Sequence, residues 1–339
     1  MNKKIIVLVC VSIVAGAAFL CFEAYKNWKN YESASSAPKI PVSIGLTVQP
    51  LASMTYIAYE NGYFGRAGLN VTLKKYSNGK LALDGLMKNE VSIATMAETP
   101  FALEASPGTE NFKIAGVVSR SDDLIKIVGR ADRGIKKIDD LRGKRVGLLT
   151  ASASDYFLHI LFLKHNIPPS SVTVVNLQTD DLPGALAKGD IDAFVTREPY
   201  VSKAENLLDG NVVVFSDPGL YTWLDMAVAN TKISNNYEIV RRFLSALIMA
   251  QTYAHDHPDQ AKSMTARFLS LDGAVVEKLW PELQFNIGLD QSLIAALEDE
   301  ERWGIADKVA SVAEPVNFLD YIYFDAMQSV KPEAINIVR

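Results

Sequence analysis

Arg145-Val-Gly-Leu-Leu-Thr-Ala-Ser-Ala-Ser154 is a short apolar strand running into a loop of small residues, with a patterned helix behind it through His159 to His165. The same events open the globular part of the chain. Val42-Ser-Ile-Gly-Leu-Thr47 reads as a strand, a Pro/Ser loop follows, and an amphipathic helix lies around Ser53 to Asn61. The second units also correspond. Leu69-Asn-Val-Thr-Leu73 leads to Tyr76-Ser-Asn-Gly79, a helix to Met87 and the strand Val91 to Thr95. Val172-Thr-Val-Val175 leads to Leu177-Gln-Thr-Asp180, a helix to Ala187 and the strand Ile191 to Val195. The copies end alike, in Glu98-Thr-Pro-Phe101 and Arg197-Glu-Pro-Tyr200. Alternating strands and helices of this kind specify an α/β fold with mostly parallel sheets, here as two topologically equivalent, doubly wound lobes.

Two further strand-like stretches, Asp123 to Gly129 and Trp223 to Ala229, sit where the chain must pass between lobes. Two crossing strands divide the chain into a first lobe of residues 41–122 and 230–339 and a second lobe of residues 123–229. The tail is helical: Asn235 to His255 has helical periodicity and meets Pro258, and Asp259 to Leu269 and Gly273 to Leu283 continue the pattern.

In open α/β sheets ligands bind beyond the carboxyl ends of the strands. Two facing lobes therefore offer one cleft lined by two sets of loops. The candidates from the first lobe are Gln49, Ser53, Ser77, Asn78, Glu98 and Thr99. Those from the second are Thr150, Ser152, Ser154, Thr179, Asp180, Arg197 and Glu198, with Trp223 on the crossing strand. One of Ser152 and Ser154 is expected to cap the helix starting near Asp155, and free amides there with the helix dipole suit an anionic head such as sulfonate or carboxylate. Arg197 can add a bidentate contact to the same anion or pair with Glu98, Asp180 or Asp181. Acidic residues that face the cleft, Asp225 among them, call for an ammonium or ring-nitrogen donor on the ligand. Tyr56, Tyr76, Tyr156, Tyr221 and Trp223 are candidates to stack on a flat ligand.

Composition narrows the classes. The formal charge of −5 over 339 residues offers no basic face for nucleic acid. Cys10 and Cys21 are the only cysteines, so the globular part has no disulfide, zinc thiolate or cysteine nucleophile. His255-Asp-His257 splits a histidine pair across a helix ended by Pro258, which argues against a metal. No phosphate loop or nucleophile elbow occurs, so no enzyme activity, cofactor or metal is expected.

The N-terminus is an address or an anchor. Lys3 and Lys4 precede an uncharged run from Ile5 to Phe22, long enough as a helix to approach the thickness of a hydrocarbon core. The basic head predicts a cytoplasmic start and an exported globular part. An uncleaved anchor over residues 1–25 with a tether over 26–40 is the expectation. Cleavage near Ala15-Gly-Ala17 and lipidation at Cys21 are the alternatives.

Ala58-Tyr-Glu-Asn-Gly-Tyr-Phe64 followed by Gly68-Leu-Asn-Val71 resembles the opening of the nitrate/sulfonate/taurine-type binding proteins, a family that includes thiamine-pyrimidine synthesis proteins. Leu141-Arg-Gly-Lys-Arg-Val-Gly147 resembles its second-lobe entry, Gly189-Asp-Ile-Asp-Ala193 a later strand, and Arg197-Glu-Pro-Tyr200 its Trp-Glu-Pro-like loop, with Arg197 where relatives often carry an aromatic. The resemblance implies a periplasmic-binding-protein fold of the second type, hinge closure on a small polar solute, and delivery to an ABC permease by a monomer held at the periplasmic side of the inner membrane. A membrane-anchored sensor acting through a separate partner is the alternative. The family's pyrimidine-forming enzymes use a cysteine-rich iron site, and this chain has no cysteine after Cys21.

Overall fold

The computed structural model describes residues 38–233 and 236–338, so the apolar N-terminal run and most of the tether lie outside the described residues. The first lobe begins with β1 (Ile40–Thr47), α1 (Ser53–Glu60), the short α2 (Tyr63–Arg66), β2 (Leu69–Tyr76), α3 (Gly79–Met87), β3 (Ile93–Ala97), α4 (Glu98–Glu104) and β4 (Phe112–Ser121). The second contains β5 (Lys126–Arg130), β6 (Arg145–Leu148), α5 (Ala153–Lys164), β7 (Thr173–Asn176), α6 (Leu182–Lys188), β8 (Ala193–Thr196), α7 (Tyr200–Leu207) and β9 (Val212–Phe215). The chain then returns as β10 (Trp223–Asn230) and continues into the tail helices α8 (Asn236–Asp256), α9 (Pro258–Leu269), α10 (Gly273–Leu279), α11 (Gln291–Ala306) and α12 (Phe324–Val330). Pro258 both limits α8 and opens α9, where its missing N–H costs nothing.

The strand orders make the duplication explicit. The first sheet runs β2-β1-β3-β10-β4 and the second β7-β6-β8-β5-β9. In each, the first three strands pair in parallel, and an antiparallel strand is inserted beside the third. That inserted strand adjoins a crossing in both cases. The stretch 223–229, assigned to the second lobe on sequence, is thus a strand of the first sheet, held by β3 over Asp225 to Ala229 and by β4 over Trp223 to Asn230. The two crossings touch, since Gly219 N donates to Asp122 O at 2.9 Å.

Both faces of the sheets are covered, which is why β3 and β10 are buried along their full lengths. The first core gathers Ile44, Met54, Val117 and Leu247, with Phe64 stacked on Phe243 at 5.6 Å. The second gathers Ile127, Val146, Leu161 and Val195, and it includes Leu51, Ala97, Trp223, Leu279 and Leu283 from the first lobe. That shared apolar cluster packs the lobes together behind the cleft.

The tail is fastened to β4 at Gly288, which exchanges main-chain hydrogen bonds with Val117 at 2.9 and 3.1 Å. A Cβ on Gly288 would lie 2.9 Å from the Ala334 carbonyl oxygen, too close for real atoms, and a main-chain oxygen yields little. Gly288→Ala is expected to cost about 1–3 kcal/mol through overpacking, read as a lower urea midpoint with an unchanged slope.

Candidate functional site

The cleft closes on a narrow cavity bounded by both lobes. The first contributes Asn78, Gly79, Lys80, Ala97 and Pro100; the second contributes Ser152, Ala153, Ser154, Thr179 and Arg197, with Trp223 of β10 at its base. Its free space is about 30 Å³, room for little more than water. Arg197 takes up much of the rest. Its guanidinium lies 5.2 Å from the Trp223 ring and 5.8 Å from the Tyr200 ring, and Nη2 donates across the cleft to Ser77 O at 3.1 Å. Tyr200 approaches that carbonyl at 3.4 Å while donating to Asp180 at 2.8 Å.

What the cavity presents is almost entirely donors. α3 and α5 each begin at it, so two helix N-termini from opposite lobes converge on one small space. Asn78 caps α3 by accepting from Leu81 N at 3.0 Å, which turns its Nδ2 outward; that atom is buried without a partner. Arg197 Nε and Trp223 Nε1 are buried and unpartnered as well. One of Ser152 and Ser154 was expected to cap α5, but Ser154 lies within the helix, the Ser152 hydroxyl turns back to Leu149 O at 2.6 Å, and the N-cap side chain makes no capping bond. The reason is local: Ala151 adopts φ 55°, and Asp155 accepts from its amide, so the loop is fixed in a form that points Ser152 away. The opening amides of α5 are left facing the cavity. Among the described residues no carboxylate lines it.

Arg197 is only 4% exposed and forms no ion pair with Glu98, Asp180 or Asp181 among the described residues. Burial lowers its pKa from the ordinary arginine range, yet guanidinium remains charged under all physiological conditions. A buried cation without a counter-ion is costly unless something supplies the charge.

A second set of groups lies beside the cavity, outside its lining. Asp225 alternates with Trp223 on one face of β10 and is paired across the sheet with Ala97, which lines the cavity. It is fully buried and accepts from Gln49 Nε2 at 2.6 Å, while its Oδ2, Gln49 Oε1 and Ser53 Oγ have no partner. Burial pushes the Asp225 carboxyl well above its usual range.

Other candidates go elsewhere. Glu98 lies beneath the cleft, accepting from the Tyr221 hydroxyl at 2.7 Å and from Leu224 N, with the Thr99 hydroxyl 3.5 Å from Tyr221. Thr150 is held by Asn176 outside the cavity. Glu198 accepts from Ser202 on the outer side of the turn. Tyr56 stacks on Phe268, Tyr76 reaches Glu90, and Tyr156 packs on Tyr221 and Trp303, so none of these three is a platform in the cavity. Gly79, in the predicted loop Ser77-Asn78-Gly79, lines the cavity, while Lys80 and Pro100 were missed by sequence; the only signal for them was their place beside that loop and Glu98-Thr99.

Known proteins are similar to this chain in sequence and in fold. The taurine-binding periplasmic protein of Escherichia coli strain K12 is 27% identical over 259 residues, covering 73% of each chain. The periplasmic aliphatic sulphonate binding protein SsuA of E. coli superposes with a TM-score of 0.70 at 16% identity, over 87% of this chain and 99% of that one. The periplasmic nitrate-binding protein NrtA of Synechocystis PCC 6803 superposes at 0.66 and 13% identity, over 87% and 90%. These likenesses establish the periplasmic-binding-protein fold that the family resemblance implied. Residues 49–261, more than half of the chain, match the model of one family, and this protein belongs to it: NMT1/THI5 like.

Proposed function

We propose that this chain is the extracytoplasmic receptor of an ABC importer, and that its cleft captures a small organic oxyanion, of the sulfonate or carboxylate kind, without altering it. The observation that carries the reading is the convergence of unsatisfied donors without an acid: two helix N-termini, Asn78 Nδ2, Trp223 Nε1 and the buried Arg197. Tetrahedral or planar oxyanions satisfy such an array from several sides at once. The taurine-, sulphonate- and nitrate-binding relatives support the same class. The unpartnered acceptors at Asp225 and Gln49 add a preference for a ligand whose other end brings an N–H donor. With so little free volume, entry requires the lobes to part about the two crossings, and capture is their closure.

Asn78→Asp separates the roles of one residue. Aspartate caps a helix as well as asparagine, so the ligand-free melting temperature should hardly move. The new charge faces the anion, so affinity measured by titration calorimetry should fall about tenfold or more. Unchanged affinity would place the head group elsewhere. An ω-amino alkanesulfonate is expected to bind about tenfold or more tightly than the alkanesulfonate of equal length, and Asp225→Asn should erase the difference. Equal binding by wild type would remove Asp225 and Gln49 from the site. Arg197→Met should raise the ligand-free melting temperature, because a buried cation without a direct ion pair is exchanged for an apolar chain of similar reach, while sulfonate binding is lost. A large fall in melting temperature would make the guanidinium a structural element instead.

A further inference from the structure

Beneath the cleft, two glutamates from different helices meet one phenol. Tyr221, in the second crossing, has its hydroxyl oxygen 2.7 Å from Glu98 Oε1, at the start of α4, and 3.1 Å from Glu300 Oε1, in the middle of α11. Glu98 and Glu300 are fully buried. Hydrogen counting constrains this trio. The phenol carries one proton and can donate to one carboxylate only. With both glutamates ionised, the second oxygen–oxygen contact would set lone pair against lone pair in a dry interior. The contact is satisfied when one glutamate is a carboxylic acid. Glu98 also accepts the Leu224 amide with both oxygens, as a carboxylate does. Glu300 Oε2 is buried without a partner.

We propose that Glu98 and Glu300 hold one proton between them around the Tyr221 hydroxyl, and that this proton fastens the second crossing to the first lobe. Among the described residues the surroundings supply no cation to replace it. From β10 comes the buried Asp225, and from α5 the phenol Tyr156, whose ring meets Tyr221 edge-on at 5.7 Å. Along α11 lie Asp299, which is engaged with Arg302 at the surface, and Glu301, which faces the Val316 amide. The Thr99 hydroxyl is the remaining polar neighbour on α4. Burial raises both carboxyls, Glu98 to about 7, and the Glu98 charge raises Glu300 further.

The crossing is tied at three points. Asp217 is bound by Lys164 and His165 of the second lobe, Gly219 by Asp122 of the first crossing, and Tyr221 by the glutamates. Loss of the proton leaves the phenol bonded to one glutamate and sets the second carboxylate against it, which weakens the tie between this end of the hinge and the first lobe. An acid whose folded pKa exceeds its unfolded value stabilises the fold while the proton stays on, and this stabilisation is lost as pH rises through the folded pKa.

The test compares the intact chain with Glu300→Gln in thermal melts from pH 6 to 9. Wild type should lose several degrees over this range. The variant, whose amide supplies a permanent donor, should lose clearly less. A slope in the variant equal to that of wild type overturns the proposal. Infrared spectra of wild type in heavy water guard against a variant that does not fold. A buried carboxylic-acid carbonyl band should be present at neutral pH and fade as the pH is raised, and its absence at neutral pH overturns the proposal equally.

Discussion

Strand β10 is held by β4 along its length and by β3 over most of it, and the functional surface hangs from that pairing. Trp223 and Asp225 are successive residues on one face of this strand, and Tyr221 precedes it directly. The strand reaches its place only after the whole second lobe has been made, so the first sheet cannot be completed until the chain has crossed twice. In the second sheet β5 plays the same part, entering just after the first crossing. Each lobe is thereby closed by a strand adjoining a hinge, and the hinges inherit the rigidity of both sheets.

The polar groups hung from this frame carry a cost when nothing is bound. A cleft floor with a buried guanidinium, an unpartnered indole N–H, an amide nitrogen and uncapped helix amides is a poor way to build a stable protein. Concentrating unsatisfied donors in one place leaves free energy to be recovered on binding, and it selects against solutes that cannot supply several acceptors at once.

Much of this was legible in the sequence, and the boundary falls at a definite point. The repeated strand–loop–helix pattern foretold two sheets of equivalent order, and its loops foretold which segments would face one another. The destination of each side chain was not legible. Glu98 and Arg197 open the matching turns of the two copies, yet Arg197 enters the cavity while Glu98 turns beneath it. The difference is made by Tyr221 and Glu300, which lie more than a hundred residues from Glu98 and have no counterpart in the repeat. Helix α11, which carries Glu300 and Trp303, was not distinguished in the tail at all. Ser152 failed as a cap because Asp155, three residues on, secures the loop through the Ala151 amide, a preference set by local geometry rather than composition.

The hydrogen bond that Arg197 makes across the cleft ends on the main-chain oxygen of Ser77, not on its hydroxyl. A carbonyl is present whatever residue occupies position 77. A change of side chain at that position therefore need not remove the point on which the opposite lobe lands. The contact that joins the lobes is in this way independent of the side chain beside it, and the sequence there can diverge while the contact is kept.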